Sequence, residues 1–541
     1  MPGMIVAPQP EAVEQGAKVL ASGGNAFDAA LACAWIQFLV DPHSCGVGGY
    51  LLLNCWLGRT AEPLPILDAP ALAGSRVRPE MWESLVIGPN PGGWGFRLRD
   101  QVNEDGYRSI CTPGTIRGLE TIHSRWCSRP WPELLQPAIE LAEEGWQVSA
   151  TMATRWRDKP HYYETTSLQE KLAATPEASR IYLKADGSTY EAGDRLRNPD
   201  YGRTLERLAR EGPQDFYLGE MARDMASDLE AHQSWITPED LSGYQVRDEP
   251  PVVVPYRDLL IHTAPAPHGG PTLAAILNIL EGYDLACLGH NSPAYIHLVS
   301  MAMKAAFADR NRHLGDPHFV KVPQEWLVSK ERARQWREVI DSGKEIKPFQ
   351  VQTGSTDTTH ISVVDRWGNR VSLTHSLGTS SGVITPGLGF MYNNSMINFH
   401  PYAGHPNSIA AGKGRTTGMT PTIVSREGNP ILVVGAPGAT RIITAVLSVI
   451  LNHVDFGLSV TEAVLAPRFD CQVDAITCQA RIPEGVCAEV RRKHPIQRMP
   501  VSHGGFALIH AIGIDSESGA LSGAADTGAD GMALRVDDSR L

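Results

Sequence analysis

The chain has 541 residues, of which 42% are hydrophobic and 20% charged, and this composition excludes disordered, collagen-like and membrane-embedded proteins. The formal net charge is −12, so neither nucleic acid nor an anionic membrane surface is an expected partner. We expect small molecules and the chain's own subunits as partners, with a higher oligomer left open.

Two helices are predicted between Pro10 and Val40, separated by Gly23 and Gly24. Asn25 is placed to cap the second helix, which is apolar on nearly every side and is therefore expected in the middle of the fold. A glycine-rich loop over residues 41–49 and a strand over residues 50–54 follow. That loop is either a tight turn or one wall of an active site.

The spacing of the cysteines and histidines indicates whether the chain has disulfides or a metal site. The nine cysteines form no Cys-x-x-Cys pair, and the 18 histidines lack metal-ligand spacings, so we expect free thiols, no metal and no cofactor. Residues 1–16 lack the pattern of a secretory signal, and the longest apolar stretch, residues 26–40, is too short to span a bilayer. These features predict a cytoplasmic protein.

The rest of the chain is richer in helices first and in strands later. Residues 75–107 are irregular and rich in tryptophan and glycine, which is typical of a surface excursion. Helices are predicted over residues 115–128, 131–144, 201–211, 215–231 and 292–309. Strands are predicted over residues 252–254, 259–263, 360–365, 370–376, 423–425 and 431–434. The polar stretch over residues 330–355 is expected to be an exposed linker, and the whole pattern favours helices layered on sheets.

Segments spread along the chain resemble, in collinear order, the γ-glutamyltransferase family of the N-terminal nucleophile (Ntn) hydrolases. They are residues 23–30, 42–49, 112–119, 129–142, 215–219, 265–271, 358–365, 392–394, 419–423 and 435–443. The resemblance implies an α+β fold, the four-layer αββα sandwich. It also implies one precursor that cuts itself between Asp357 and Thr358. The large subunit would then be residues 1–357, with the linker at about 330–357. The small subunit would be residues 358–541, and both would form one intertwined fold.

By its position in these motifs, Thr358 corresponds to the nucleophile of the family. Judged from its neighbours alone, Thr358 is an ordinary residue of an alternating strand. A threonine hydroxyl is a weak nucleophile without a base, and the α-amine that the cut would release has a reference pKa of about 7.7 to 8.0. Processing would therefore switch the enzyme on.

The resemblance assigns supporting roles to three further residues. Ser376 would support the amine, although an ordinary strand serine is the alternative. The backbone N–H groups of Gly438 and Ala439 would stabilise the oxyanion, provided that Ala439 does not need a positive φ.

The family residues that grip the amino-acid head group are replaced here. The replacements are Ile66 for a carboxylate-binding arginine, Gly378 for an asparagine, Ser395 and Asn398 for the ammonium-binding glutamine and aspartate, and Thr417 and Gly418 for a serine pair. A site built for charged groups discriminates strongly against substrates that lack them. We therefore expect an acyl group other than γ-glutamyl.

Several polar residues are candidates for the new contacts, and a structural role is the alternative for each. They are His375, Ser381, Asn394, Asn398, Arg415, Thr416 and Thr417. Arg415 and His375 are the candidates for binding a carboxylate, and Trp94 is the candidate for covering an apolar acyl chain.

Three hypotheses follow. The first is a self-processing amidohydrolase or acyltransferase that cleaves a non-γ-glutamyl small-molecule amide through an acyl-Thr358 intermediate. The second is a true γ-glutamyltransferase that acts on glutathione-type substrates. The third is a binding relative that never processes and retains Thr358 for packing.

Overall fold

The computed structural model describes residues 2–60, 62–89, 96–157, 166–346 and 358–537. The helices are α1 (Pro10–Ala21), α2 (Ala26–Val40), α3 (Thr115–Trp126), α4 (Trp131–Glu144), α5 (Ala150–Arg157), α6 (Leu168–Ala173), α7 (Pro176–Tyr182), α8 (Pro199–Glu211), α9 (Gln214–Leu218), α10 (Glu220–Ala231), α11 (Pro238–Ser242), α12 (Gly270–Leu280), α13 (Pro293–His313), α14 (Gln324–Leu327), α15 (Lys330–Asp341), α16 (Arg441–Val454), α17 (Val460–Leu465) and α18 (Glu484–Val490). The strands are β1 (Gly3–Ala7), β2 (Tyr50–Trp56), β3 (Ile66–Ala69), β4 (Val86–Pro89), β5 (Phe96–Leu98), β6 (Trp146–Gln147), β7 (Arg195–Leu196), β8 (Arg247–Glu249), β9 (Val252–Tyr256), β10 (Leu259–Thr263), β11 (Thr359–Val364), β12 (Arg370–Ser376), β13 (Thr422–Arg426), β14 (Asn429–Gly435), β15 (Phe469–Asp470), β16 (Ile476–Cys478), β17 (Ile496–Arg498), β18 (His510–Ile514), β19 (Leu521–Ala525) and β20 (Met532–Val536).

Two antiparallel sheets form the centre of the molecule. The first has seven strands in the order β20, β1, β11, β12, β2, β3, β8, and the second has six in the order β19, β18, β14, β13, β10, β9. The sheets face each other, with β11 and β12 packed against β14. Both sheets contain strands from before and after residue 357, so a cut there would leave the two parts held together by backbone ladders.

Helices cover the outer face of each sheet. Helices α1, α2, α3, α4 and α8 contribute to the core on the first sheet, and α12, α13, α16 and α17 to the core on the second. Apolar side chains such as Val6, Ile423 and Ile512 fill part of the space between the sheets. The predicted four-layer αββα arrangement is therefore present. Within the described ranges, no helix is long and apolar enough to cross a membrane.

The N-terminal prediction is confirmed in detail. Asn25 caps α2 through its side chain, which accepts hydrogen bonds from the backbone N–H groups of Phe27 and Asp28. Every residue of α2 except Val40 is buried, because helices α1 and α4 pack on this helix in addition to the sheet. Strand β2 begins at Tyr50, as the sequence predicts.

Two predictions about the middle of the chain are wrong. The helix predicted over residues 215–231 is broken at Gly219 into α9 and α10. The linker predicted from residue 330 begins instead with helix α15, which Ser329 caps. The polar residues at the start of this stretch are those of an exposed helix. A bidentate ion pair of Arg332 with Asp309 holds this helix to α13. Asp357 and Trp94 lie outside the described residues.

Candidate active site

Thr358 lies directly before β11, at the end of an internal strand of the first sheet. In the β11–β12 ladder Thr359 is opposite His375, which brings Thr358 opposite Ser376. The two hydroxyl oxygens are 3.1 Å apart and both side chains are buried. The Ser376 oxygen also accepts a hydrogen bond of 2.9 Å from the Gly378 N–H, so the serine hydroxyl is held in place and can donate toward Thr358.

Strand alternation decides which way these side chains point. On β12 the Ser372 hydroxyl donates to the Val434 carbonyl of the second sheet, so Ser372, Thr374 and Ser376 face that sheet. On β11 the His360 ring contacts the Thr374 hydroxyl, which puts His360, and Thr358 two residues before it, on the same side. The predicted nucleophile and its supporting hydroxyl thus lie between the two sheets.

The loop with the predicted oxyanion donors begins at the same place. Strand β14 ends at Gly435, which lies so close to His360 that a Cβ there would be 2.1 Å from the imidazole Cε1. Gly438 follows with a φ of 134° and Ala439 with a φ of 58°. The condition set for Ala439 is therefore not met. It has the left-handed backbone that favours glycine, at a cost of about 1–2 kcal/mol for a residue with a Cβ.

His375 projects in the opposite direction, toward the helices. Its Nε2 lies 2.9 Å from the Oε1 of Gln37 on α2, and its ring is fully buried. Burial lowers the pKa of His375 to about 3, so the imidazole is neutral near pH 7. The structure thus separates His375 from Thr358 and leaves it without the charge needed to bind a carboxylate.

Asn394 and Ser381 hold the loop that follows Ser376. The Asn394 amide donates to the Glu104 carbonyl and to the Thr379 hydroxyl, and its oxygen accepts from the Thr379 N–H. The Ser381 hydroxyl donates to the Tyr392 carbonyl. Both side chains make backbone contacts here, which is the structural alternative considered for them.

A buried ionic cluster lies behind this loop. The Lys171 ammonium is 3.0 Å from an Asp105 carboxylate oxygen and 3.4 Å from one of Glu104. It also donates to the Thr379 hydroxyl. Burial raises the pKa of Glu104. The sequence analysis did not single out this cluster.

The remaining candidates surround Arg415. Its guanidinium stacks over the Tyr50 ring at 4.4 Å and donates to the Ser395 hydroxyl and the Thr416 carbonyl. Asn398 is buried in the short 3-10 helix that begins at Ser395. The structure therefore brings Arg415, Thr416, Ser395 and Asn398 into one region.

Ile66 on β3 is fully buried in an apolar cluster that includes side chains of the neighbouring strand β2. The cluster consists of Tyr50, Leu52, Ile66, Ala71, Ala73, Val77, Trp82, Leu98, Cys111, Ala264, Met396, Phe399, Ile409 and Met419. Met396 and Met419 follow two replaced head-group positions, Ser395 and Gly418. These positions thus border apolar side chains.

Two residues that were not singled out lie next to Thr417: His268 contacts it, and Asp68 contacts His268. The Nδ1 of His268 is 2.8 Å from the Thr417 hydroxyl, and its Nε2 is 3.0 Å from a carboxylate oxygen of Asp68. Both residues are almost fully buried. A signal was present: Asp68 lies two residues after Ile66 on one strand, and His268 lies within the motif of residues 265–271.

Comparison with known proteins identifies the family. The model of the gamma-glutamyltranspeptidase family matches residues 12–536. The chain belongs to the gamma-glutamyltranspeptidase family. The predicted family and the predicted enzyme class, a threonine Ntn hydrolase or transferase, are therefore confirmed.

Relatives in this family carry different names. An acylase ACY 1 proenzyme of Pseudomonas sp. (strain V22) is 34% identical over 552 residues, which cover 99% of this chain and 93% of that protein. A glutathione hydrolase proenzyme of Escherichia coli (strain K12) is 31% identical over 497 residues, which cover 87% of this chain and 81% of that protein. The crystal structure of a cephalosporin acylase from Bacillus halodurans superposes with a TM-score of 0.85 at 25% identity, covering 98% of this chain and 95% of that one. This likeness confirms the predicted Ntn-hydrolase fold.

Proposed function

We propose that this family member cuts itself between Asp357 and Thr358 and then cleaves a small-molecule amide through an acyl-Thr358 intermediate, with an acyl group other than γ-glutamyl. The observation that carries the proposal is the 3.1 Å contact between the Thr358 and Ser376 hydroxyls at the ends of β11 and β12. The proenzyme names of the relatives support processing into two subunits.

The proposed reaction uses only groups of this chain. The Thr358 oxygen attacks the amide carbonyl while its proton passes to the α-amine of the same residue. The N–H group of Gly438 stabilises the oxyanion, and the N–H of Ala439 can donate from its left-handed backbone as well, since the donor is a main-chain group. The leaving amine takes the proton, which leaves an ester on Thr358, and water or a second amine then removes the acyl group.

Self-cleavage would use the same hydroxyl. Its oxygen attacks the Asp357 carbonyl, the acyl bond moves from nitrogen to oxygen, and water hydrolyses the ester. The new carboxylate belongs to Asp357 and the new amine to Thr358. Water is the only reactant that the chain itself does not supply.

The environment of the replaced head-group positions supports a changed acyl group. A γ-glutamyl substrate presents a carboxylate and an ammonium, and Ile66 lies in an apolar cluster where the family has an arginine. Ser395 and Asn398 carry no charge to meet an ammonium. Ser395 and Asn398 would therefore meet a buried ammonium without the negative charge that the family supplies, which is costly.

True γ-glutamyl transfer is the second candidate, and Arg415 favours it. Its guanidinium donates to the Ser395 hydroxyl and is a cation in the region of the replaced positions. The E. coli relative named glutathione hydrolase supports this reading, whereas the one named acylase supports the first.

Mass spectrometry tests the proposal. Intact-mass measurement should find two fragments that meet at residues 357 and 358 in the wild type, slow processing in Thr358→Ser and none in Thr358→Ala. A panel of small amides should then leave an acyl group on Thr358, whose added mass identifies it. A cut elsewhere, or rapid release of product from a γ-glutamyl anilide, would contradict the proposal.

A further inference from the structure

A network of amide side chains lies under the start of β11, on the face opposite to the Thr358 hydroxyl. Thr359 follows Thr358, and successive residues of a strand point to opposite faces, so its side chain faces α2. The Gln37 amide of α2 donates to the Thr359 hydroxyl at 3.1 Å, and this hydroxyl donates to the Gln9 oxygen at 3.4 Å. Thr359 and Gln37 are fully buried. Side chains from two other parts of the chain thus hold the residue after the candidate nucleophile.

The carboxylate of Asp41 fixes the direction of the hydrogen bonds in this network. It accepts from Gln9 Nε2 at 2.7 Å and from Arg155. Gln9 therefore turns its Oε1 to Gln37, whose Nε2 donates to it at 2.7 Å. The Oε1 of Gln37 is left to accept from His375 Nε2, 2.9 Å away, because burial lowers the pKa of this histidine to about 3 and keeps one ring hydrogen on it. One orientation of the two amides thus satisfies all of these contacts.

Strand β11 lacks a second strand neighbour at its start. The ladder with β1 covers Ser362 to Val364, whereas the ladder with β12 begins at Thr359. Within the described residues, Thr359 to Ile361 therefore pair with a strand on one side only. Strand β1 has ended at Ala7, and the side chain of Gln9, two residues further on, contacts Thr359 instead.

The proposed cut would make this support important for catalysis. It turns Thr358 into a chain terminus, and termini are poorly ordered unless they are tied down. Ser376 lies 3.1 Å from the Thr358 hydroxyl on the face toward the second sheet, and Thr359 is held from the opposite face. These contacts fix the groups at both ends of the Cα–Cβ bond of Thr358. They therefore set the position of the α-amine relative to the hydroxyl that it deprotonates.

We propose that Gln37 and Gln9 are positioning residues for the nucleophile, which act through the Thr359 hydroxyl to hold the Thr358 terminus in the geometry for proton transfer to its α-amine. This inference rests on the proposed function. We call Gln9, Gln37 and Thr359 the clamp. Two of its members precede residue 357 and one follows it, so after the cut the clamp would join the large subunit to the small one.

Thr359→Val tests the clamp with almost no change of shape, since it removes the hydroxyl and keeps the volume. In the processed enzyme kcat should fall by about 10–100-fold, because a misplacement of about 1 Å can cost about 10²-fold. KM should stay within about twofold of the wild type, because Thr359 faces α2 and not the space between the sheets. Thr359→Ser retains the hydroxyl and should keep kcat within about threefold. The rates are measured as release of the amine from the amide that acyl trapping finds.

Gln37→Met tests whether Gln37 acts through Thr359. Methionine has a similar length and makes none of the amide hydrogen bonds, so kcat should fall by a factor similar to that in Thr359→Val. The double variant should lose no more than the larger of the two single losses, because both changes remove the same contact. Losses that multiply in the double variant would overturn the positioning role.

Ser362→Ala is the matched control. Ser362 lies on the same strand and is fully buried, and its hydroxyl donates to the His510 carbonyl at 3.1 Å. Its replacement should lower the urea midpoint about as much as Thr359→Val does and should leave kcat unchanged. If Thr359→Val lowers kcat no more than Ser362→Ala, the network is only structural and the proposal fails.

Hydrogen exchange measures the clamp without a substrate. In the processed protein, the peptide that begins at Thr358 should exchange about tenfold faster in Gln37→Met than in the wild type, whereas peptides of β14 should keep their rates. Equal exchange of the first peptide in the two proteins would overturn the clamp. Failure of the proposed function would look different, because the wild type itself would then stay uncut or take no acyl group.

Discussion

Replacement of Ser376 by alanine tests whether its hydroxyl has a catalytic role or only a structural one. Ser376 and Ser372 lie on the same face of β12 and both are almost fully buried. The Ser372 hydroxyl donates to the Val434 carbonyl, whereas that of Ser376 lies 3.1 Å from the Thr358 hydroxyl. Ser372→Ala is therefore a matched control for Ser376→Ala.

The structure sets the expected magnitudes. Ser376→Ala leaves the Gly378 N–H without its 2.9 Å acceptor, which should lower the free energy of unfolding by about 1–3 kcal/mol. Ser372→Ala removes the donor to a buried carbonyl and should cost a similar amount. Only Ser376→Ala should also lower kcat, by about 10²-fold, because it removes a partner in proton transfer at Thr358.

Two assays decide between these outcomes. Urea denaturation measures stability, and release of the amine from the amide found by acyl trapping measures kcat on fully processed protein. Ser376→Thr retains the hydroxyl and should keep kcat within about tenfold of the wild type. Equal losses of kcat in Ser376→Ala and Ser372→Ala would refute the assignment of Ser376 to the catalytic site.

Three further predictions concern backbone strain, buried charge and pH. Ala439→Gly should raise the free energy of unfolding by up to about 1 kcal/mol, since it relieves a left-handed alanine but adds freedom to the unfolded chain; a lower thermal midpoint would contradict this. Lys171→Met should lower that free energy by about 3–5 kcal/mol because it strands the Glu104 carboxylate, and adding Glu104→Gln should restore part of the loss; denaturant titration that finds no restoration would contradict it. The pKa of His375 is depressed to about 3, so the unfolded chain binds more protons than the folded one between that value and about 6.5, and stability falls as the pH drops through this window. His375→Gln should reduce the loss of stability between pH 7 and pH 5 by about 2 kcal/mol, and an unchanged loss in denaturation at the two pH values would contradict the neutral imidazole.

The local sequence pattern was sufficient to predict helices and strands that bury the same face along their whole length. The boundaries of α4, β10 and β12 were predicted to the residue, because their apolar periodicity starts and stops at clear turn signals. Helix α15 was missed because most of its surface is exposed. Its single buried residue, Ala333, gives no apolar stripe to read, and its anchor is Asp309 on another helix.

In the candidate site, too, some features could be predicted from the sequence and others depend on the fold. Thr358 and the Gly438–Ala439 loop lie in contiguous motifs, and Ser376 lies at a fixed distance after Thr358, so their roles could be predicted along the chain. The positive φ of Ala439 could not, since it depends on how the loop turns between β14 and α16. The neutral state of His375 could not be predicted either, because it results from burial of the imidazole against α2.

By itself, the sequence determined the family, and it carries the short motifs from which the nucleophile and the loss of the charged head-group contacts are predicted. Tertiary structure alone decided that Thr358 and Ser376 face the second sheet and that His375 faces the helices. It also decided that Asp68, His268 and Thr417 meet. Asp68 and His268 are 200 residues apart in sequence, and only the packing of β3 against the turn before α12 brings their side chains within 3.0 Å. Contacts of this kind depend on burial and strand register, and neither can be read from neighbouring residues.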